Sequence, residues 1–265
     1  MCIKYNKAPL PFLGQKRNFL KLIRELDFSN KTVIDLFGGS GLLSHTIKQK
    51  CPSARVIYND FDDYKSRLDQ IGKTEKLRQQ LAELLCNEPK ASRIKPELKA
   101  KIIELLKTVE TNDWITVSSW LCFSGHYHHT LDDLIKAGWY ARVVRNPLAA
   151  AGYLEGVERV QCDFRELIAQ YSTAENVIYI ADPPYIMTNQ QGYAPAKADK
   201  WFRLGEAIEL IQALSQKQAV FFSSQKSETD DLLDVWKPKT LDKRIYKASV
   251  GDGRYSIEHM FLLNW

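Results

Sequence analysis

TVIDLFGGSGLLSHTIKQKCPSARVIYND, residues 32–60, is the clearest indication of the fold class in this sequence. A β-rich apolar run at 32–37 breaks into glycines, and a run with helical character follows at 42–50. A second short apolar run at 55–58 ends in the acidic stretch NDFDD. Strand, glycine turn, helix, strand and acidic end together predict a βαβ unit.

The carboxyl-terminal half continues this pattern. NVIYIA (176–181) and AVFFSS (219–224) predict strong strands, VERVQC (157–162) predicts a weaker one, and GEAIELIQALSQK (205–217) predicts a helix. Apolar strands that alternate with helices are typical of a parallel sheet covered on both faces. The closing residues predict a hairpin around Gly251-Asp252-Gly253. The predicted fold class is α/β, with a mixed, mostly parallel sheet.

The pattern changes between residues 60 and 156. Amphipathic helices are predicted over 76–85 and 96–109, with apolar positions at helical spacing at Leu77, Leu81, Leu84, Leu98, Ile102, Leu105 and Val109. Pro96 suits the first turn of the second helix. The aromatic run WITVSSWLCFSGHYHH at 114–129 has no clear period. We interpret residues 65–156 as a mostly helical insertion in a core made of 1–64 and 157–265.

Composition narrows the class of protein. The 265 residues are 45% hydrophobic and 26% charged, as in ordinary folded soluble proteins. We expect no membrane span or signal peptide, and five scattered cysteines without a C-x-x-C pair favour a reducing cytoplasm. Residues 65–109 hold 11 Lys and Arg against 6 Asp and Glu, an excess equal to the net charge of +5. Such a segment suits a polyanion such as nucleic acid, or forms the solvated faces of two helices.

The stretch DPPY, Asp182 to Tyr185, follows the strand at 176–181. Its prolines fix φ and remove two N–H donors, so a stiff corner presents the Asp182 carboxylate and the Pro183 carbonyl. Two acceptors at fixed spacing match the hydrogens of a planar amino group, and Tyr185 offers an aromatic face for stacking. Because open α/β sheets bind ligands at the carboxyl ends of strands, this corner is predicted to hold an amino group on an aromatic ring.

The glycine turn DLFGGSG, 35–41, lets the backbone turn sharply and lets a ligand come close. Its spacing matches neither the dinucleotide-binding motif G-x-G-x-x-G nor a P-loop, so we expect this turn to be poorly suited to bind phosphate. Asp60 ends the next strand, 19 residues after the last glycine. A carboxylate there is placed to bind a ribose diol, or is a plain turn residue.

DPPY and DLFGGSG together resemble the Dam-like group of DNA adenine-N6 methyltransferases, which use S-adenosylmethionine. The order is also similar, because PFLGQK (11–16) precedes the glycine turn, the long insertion and DPPY. The resemblance covers most of the chain at motif level. It implies a Rossmann-like methyltransferase core, target recognition by the insertion, S-adenosyl-L-methionine as cofactor and double-stranded DNA as partner. We expect a monomer in a bacterial cytoplasm, encoded by the bacterium or by a phage.

The resemblance also implies roles for residues. The catalytic corner comprises Asp182, Pro183, Pro184 and Tyr185. The cofactor-binding set comprises Phe12, Gly14, Lys16, Asp35, Phe37, Gly38, Gly39, Ser40, Gly41, Asp60, Asp163 and Phe164. Apart from the resemblance, His126, His128, Arg142 and Arg145 are candidates for DNA contact or plain surface residues. No metal is expected, because methyl transfer needs none and GHYHH (125–129) lacks an acid or cysteine at ligand spacing.

Two features depart from the family. Pro11 stands where several members carry a lysine, and the family's recognition segment is not recognisable in residues 122–147. Fold and chemistry therefore transfer better than sequence specificity. Two alternatives stay open: a methyltransferase acting on cytosine N4, RNA adenine or a protein glutamine, and a non-catalytic DNA-binding protein on a methyltransferase fold. PFLGQK and the long insertion favour DNA adenine, and intact DPPY and glycine-turn motifs weigh against a non-catalytic protein.

Overall fold

The computed structural model describes residues 5–123, 126–185, 202–224, 229–251 and 254–265, with only the backbone for 248–251 and 254–256. The strands in these ranges are β1 Thr32–Asp35, β2 Arg55–Asn59, β3 Glu158–Val160, β4 Val177–Ala181, β5 Ala219–Ser224, β6 Leu241–Gly251 and β7 Arg254–Leu263. They form one sheet in the order β3-β2-β1-β4-β5-β7-β6.

Strand direction confirms the predicted fold class. The strands β1 to β5 pair parallel with their neighbours, whereas β7 runs antiparallel to β5 and β6 runs antiparallel to β7. The predicted hairpin is present, because Gly251 pairs with Arg254. This mixed, mostly parallel sheet has the Rossmann-like architecture that the resemblance implies. Its strand order reverses between β1 and β4, and open α/β sheets bind ligands outside the carboxyl ends of strands at such a point.

Ten α-helices surround the sheet in the described ranges. They are α1 Leu20–Glu25, α2 Leu42–Lys50, α3 Tyr64–Asp69, α4 Ile71–Leu84, α5 Pro96–Thr108, α6 Trp114–Leu121, α7 Leu131–Lys136, α8 Phe164–Gln170, α9 Leu204–Leu214 and α10 Thr229–Val235. One face of the sheet packs on α1 and α2 through residues such as Val33, Ile180 and Phe222. The other packs on α8 and α9 through residues such as Ile34, Tyr179 and Phe221. Successive strand residues therefore bury opposite faces, as a sheet covered on both sides requires.

The helices α3 to α7 lie between β2 and β3 in the chain. The helices α4 to α7 share a hydrophobic cluster that includes Leu77, Leu81, Ile102 and Trp120, whereas α3 packs into the cluster of α1 and α2 through Tyr64 and Leu68. Pro96 begins α5, as predicted. The division of the chain into a core and a recognition insertion stays a prediction.

Two details of this region differ from the sequence analysis. Leu84 is 38% exposed, because α4 ends there and the following Leu85 turns into the cluster instead. The unassigned aromatic run contains α6, whose first turn is capped by the Asp113 carboxylate accepting from the Thr116 amide. Five of its eight residues are buried, and a helix buried around most of its circumference shows no polar stripe. Among the described helices, none is long and apolar enough to cross a membrane.

Candidate active site

The DPPY corner begins directly after β4. Asp182 follows the buried Ala181 and forms an ion pair with Lys16, with 2.9 Å between Asp182 Oδ2 and Lys16 Nζ. The lysine side chain is 4% exposed and that of Asp182 is 17% exposed. The structure thus brings together two predicted site residues that lie 166 positions apart in the chain.

Lys16 reaches the corner from the segment before α1. Its ammonium donates to the Gly14 carbonyl at 2.9 Å and lies over the rings of Tyr185 and Phe222, 5.4 and 5.9 Å from their centroids. Burial opposes its charge, but Asp182, Tyr185 and Glu258 together hold the pKa of Lys16 above its usual range. Lys16 is therefore a permanent cation inside the corner. This places Lys16 against the DPPY motif, and the cofactor role that the resemblance implies for it stays a prediction.

The ionisation of Asp182 is set by opposing effects. Burial raises the pKa of this carboxyl to about 6, Lys16 lowers it, and Glu258 raises it further. Burial also raises the pKa of the Tyr185 phenol above its usual value. At neutral pH Asp182 is mainly a carboxylate, and so it is an acceptor of hydrogen bonds.

A second buried carboxyl lies on the neighbouring strand. Asp35 ends β1, and its Oδ2 accepts from the Ser44 hydroxyl at 2.6 Å. Burial raises its pKa to about 7, Ser44 opposes the rise, and Asp182 contributes to it. Asp35 Oδ1 is buried and has no hydrogen-bond partner in the part of the chain that the structure describes. An oxygen in this condition is available to a donor on a ligand.

The glycine turn is held tightly by aromatic side chains. A Cβ on Gly38 would lie 2.2 Å from the Tyr58 ring, and one on Gly39 would lie 2.8 Å from the Phe12 ring. Gly39 and Gly41 also have positive φ, at 51° and 73°. The Tyr58 hydroxyl donates to the Gly39 carbonyl at 2.6 Å. Glycine is thus required at these positions for packing and backbone conformation.

The rest of the turn is fixed from the insertion side and from β1. Tyr153 donates to the Ser40 carbonyl at 2.9 Å, and a Cβ on Gly41 would lie 2.7 Å from the Leu154 side chain. Phe37 leaves β1 and packs on Phe164. The residues from Phe37 to Gly41 are therefore held in place from outside the turn.

The segment that carries Phe12, Gly14 and Lys16 is held by α3. The Tyr64 hydroxyl accepts from the Leu10 amide at 2.9 Å and donates to the Leu10 carbonyl at 3.1 Å. Arg67, one helical turn later, donates to the Pro11 carbonyl at 2.9 Å.

Arg67 also forms a buried ion pair with Asp113, at 2.8 Å. Asp113 caps α6 in the insertion. This arginine thus ties the segment beside the glycine turn to the insertion.

Asp60, the predicted ribose ligand, is fully buried. Its carboxylate accepts from the amides of Tyr64 and Lys65 and from the Arg159 guanidinium at 2.7, 2.9 and 2.8 Å, and it shares the single proton of the Tyr58 hydroxyl, at 3.0 Å, with the Gly39 carbonyl. Asp60 therefore caps α3, and a ribose hydroxyl would compete with these four donors. Its role towards a cofactor stays a prediction.

The predicted adenine pair lies at the start of α8. Asp163 caps that helix by accepting from the Arg165 amide at 2.9 Å. The Phe164 ring lies 5.4 Å from that of Phe37 and 6.2 Å from that of Phe202. Asp163 is partly exposed beside this aromatic group, next to the glycine turn through Phe37.

The four candidates for DNA contact lie between α6 and β3 in the chain. His126 and Arg145 are exposed, whereas His128 and Arg142 are partly buried. The Arg142 guanidinium donates to the Cys122 carbonyl at 2.8 Å, and the Ser118 hydroxyl accepts from the His128 amide at 3.0 Å. Across the described ranges, no three His, Cys, Asp or Glu side chains cluster as metal ligands do.

Sequence reasoning missed several residues of the site. Glu258 on β7 acts electrostatically on Lys16 and Asp182, and Phe222 on β5 lies beside Lys16. Glu258 had one signal, because it is a carboxylate at the start of the apolar run IEHMFLLNW. Phe202 and Arg67 had none, because nothing local to either residue indicates its distant partners.

Comparison with known proteins identifies the family. Over 271 residues the chain is 38% identical to a Haemophilus influenzae protein named "Putative methyltransferase", and the match covers 95% of this chain and 90% of that protein. No family model matches. The crystal structure of precorrin-6y C5,15-methyltransferase from Geobacter metallireducens GS-15 superposes with a TM-score of 0.41 and 8% identity, covering 99% and 98% of the two chains. A superposition with so low a TM-score is not evidence of family membership, whereas the sequence match to the Haemophilus influenzae protein is. The chain belongs to the same methyltransferase family as the Haemophilus influenzae protein.

Proposed function

We propose that this methyltransferase is a Dam-like enzyme that transfers a methyl group from S-adenosylmethionine to N6 of an adenine flipped out of duplex DNA. One observation carries the proposal: the carboxylate of the DPPY corner is paired with a buried lysine at the sheet's switch point. The corner thereby presents a charged acceptor and a stiff backbone beside an aromatic ring. This combination suits an amino group on a flat heterocycle.

The residues around β1 fit such a cofactor in part. Asp35 Oδ1 is buried, lacks a hydrogen-bond partner within the described residues, and lies at the start of the glycine turn. The methionine ammonium of S-adenosylmethionine has the donors that this oxygen needs. Asp163 is partly exposed next to Phe164 and Phe37 and suits the adenine end. Asp60 fits only if a ribose hydroxyl shares its four existing donors.

The side chains of the corner have distinct roles in this reaction. S-adenosylmethionine, when bound, supplies a methyl group on a sulfonium, which is already electrophilic. Asp182 and the Pro183 carbonyl accept the two hydrogens of the adenine N6, which draws electron density onto a weakly nucleophilic nitrogen. The contribution is positioning together with electrostatics. Asp182 or water takes the proton that the nitrogen releases.

Lys16 keeps Asp182 in the form that accepts hydrogens. Its ammonium lies 2.9 Å from that carboxylate and lowers a pKa that burial raises. It also lies over the Tyr185 ring, 5.4 Å from the ring centroid. We infer that Pro184 serves the corner by its stiffness, since it has no side-chain donor.

The target base must leave the duplex to reach this corner. Flipping costs a few kcal/mol, and stacking on an aromatic side chain such as Tyr185 returns roughly 1–3 kcal/mol. The insertion, residues 65–156, would supply recognition, and its basic helices would bind phosphates. A monomer acting in the cytoplasm completes the proposal.

The test is transfer of labelled methyl from S-adenosylmethionine to unmethylated duplex DNA, with mapping of N6-methyladenine. We expect label in adenine for the unaltered chain and a loss of about 10²–10³ in rate for Asp182→Asn. Asp234→Asn, at an exposed position of α10, is the control and should retain the full rate. Label found only in cytosine, RNA or protein, or cofactor binding without transfer, would replace the proposal by one of the alternatives.

A further inference from the structure

Within the described ranges, which omit residues 225–228 after β5, the pairing of β6 with β7 is longer than the pairing of β7 with β5. The strand β7 pairs with β5 there as far as Glu258, which lies opposite Ser224, the last residue of β5. The pairing of β6 with β7 continues from there to Gly251 opposite Arg254. We call residues 247–251 and 254–257 the projecting hairpin. At about 3.4 Å per residue, the five steps from Tyr246 to Gly251 extend roughly 17 Å.

The projection lies on the same edge of the sheet as the DPPY corner. Because β7 is antiparallel to β5 and β6 is antiparallel to β7, β6 runs in the direction of the parallel strands. Its carboxyl end therefore lies beyond the carboxyl ends of β4 and β5. Only β5 and β7 separate β4 from β6, which is about 14 Å at the usual strand spacing.

The charge of the hairpin suits a polyanion. Residues 243–255 contain Lys243, Arg244, Lys247 and Arg254 against a single acid, Asp252. The first two cations are ion-paired with Asp230 and Asp242. Lys247 is exposed and Arg254 pairs in register with Gly251, so both lie in the projecting part.

The opposite flank of the same edge is also basic. The insertion follows β2, which lies on the other side of β4 in the sheet, and residues 65–109 carry an excess of five positive charges. The catalytic corner therefore lies between two basic elements. A duplex whose flipped base enters the corner passes both.

We propose that the projecting hairpin is a second DNA-binding element, which contacts phosphates on the side of the target base opposite the insertion. This rests on the proposed function. The contact does not depend on the DNA sequence, because cationic side chains of the protein bind phosphates of the DNA backbone. It increases affinity and orients the duplex across the carboxyl edge of the sheet.

The test compares two double variants with the same change of charge. Lys247→Glu with Arg254→Glu alters the projection, while Lys237→Glu with Lys239→Glu alters exposed residues just before β6, at the opposite edge. Binding to a fluorescent unmethylated duplex is measured by anisotropy from 50 to 200 mM salt, with S-adenosylmethionine binding by calorimetry. Removing up to two phosphate contacts lowers the slope of log K against log salt by about 1–2.

We expect the hairpin variant to bind DNA about tenfold to hundredfold more weakly, with the lower salt slope and unchanged cofactor affinity, and the control to stay within about twofold. The neutral pair Lys247→Gln with Arg254→Gln should give an intermediate loss, which separates lost contacts from added repulsion. Equal binding by the two Glu variants, while the unaltered chain methylates DNA, would overturn the hairpin inference and leave the proposed function standing. No DNA binding or methylation by the unaltered chain would overturn both.

Discussion

Replacing Lys16 by methionine tests the electrostatics of the DPPY corner. The ammonium lies 2.9 Å from Asp182, whose pKa is about 6 in the folded protein. An opposite charge at this range lowers the pKa of a carboxyl by about 1–3 pH units, so its loss should move the pKa of Asp182 to about 7–9. Glu258 stays in place and continues to raise this pKa. The carboxylate fraction at pH 7 then falls from about 0.9 to between about 0.5 and 0.01.

The assay is the pH dependence of methyl transfer at saturating substrate. Because Asp182 acts as a carboxylate, the rate of the unaltered chain should rise with pH through about 6. In Lys16→Met that acid limb should move to higher pH, whereas Lys16→Arg preserves the charge and should leave the limb near its original position. A Lys16→Met enzyme that is slow at every pH, with the limb still near 6, would refute the electrostatic role and indicate a purely steric one.

Three further predictions concern the free energy of unfolding, which is measured for each variant by denaturant titration. Gly38→Ala should lower the free energy of unfolding by about 1–3 kcal/mol, because the new Cβ meets the Tyr58 ring at 2.2 Å. A loss below about 0.5 kcal/mol would mean that the ring moves aside. Arg67→Met should cost about 3–5 kcal/mol, since it leaves a buried carboxylate without its cation. Leu106→Ala, at a buried position, should cost about 2–5 kcal/mol, and Leu84→Ala, at a 38% exposed position, about 1 kcal/mol or less.

Much of the sheet could be predicted from local sequence. The strand β5 and the helix α2 have the bounds that their apolar runs indicated, and the glycine pair at 251 and 253 marked the closing hairpin. These elements succeed because buried parallel strands are apolar along their length and their ends are marked by turn residues. The position of DPPY after β4 followed from the same pattern.

The interior of the site was harder to predict, because it depends on contacts between distant segments. Lys16 meets Asp182 only because the segment before α1 returns to the carboxyl end of β4. Glu258 acts electrostatically on both, and its one local signal, a carboxylate in an apolar run, does not indicate these partners. The helix α6 was not predicted from the sequence because five of its eight residues are buried. Such a helix lacks the regularly spaced polar positions that make a helical period visible.

Contacts that begin at Asp60 hold the segment that carries Lys16 in place. Its carboxylate accepts from the first amides of α3 and thereby fixes that helix at the end of β2. Tyr64 and Arg67, on successive turns of α3, then bind the backbone of Leu10 and Pro11. The next residue, Phe12, packs on Gly39. A ligand that competes for Asp60 would therefore loosen α3 and, through it, the segment that carries Lys16 to Asp182. Cofactor binding and the charge state of the DPPY corner are then linked through α3. We therefore expect the acid limb of the pH–rate profile of Asp60→Asn to move to higher pH, as in Lys16→Met.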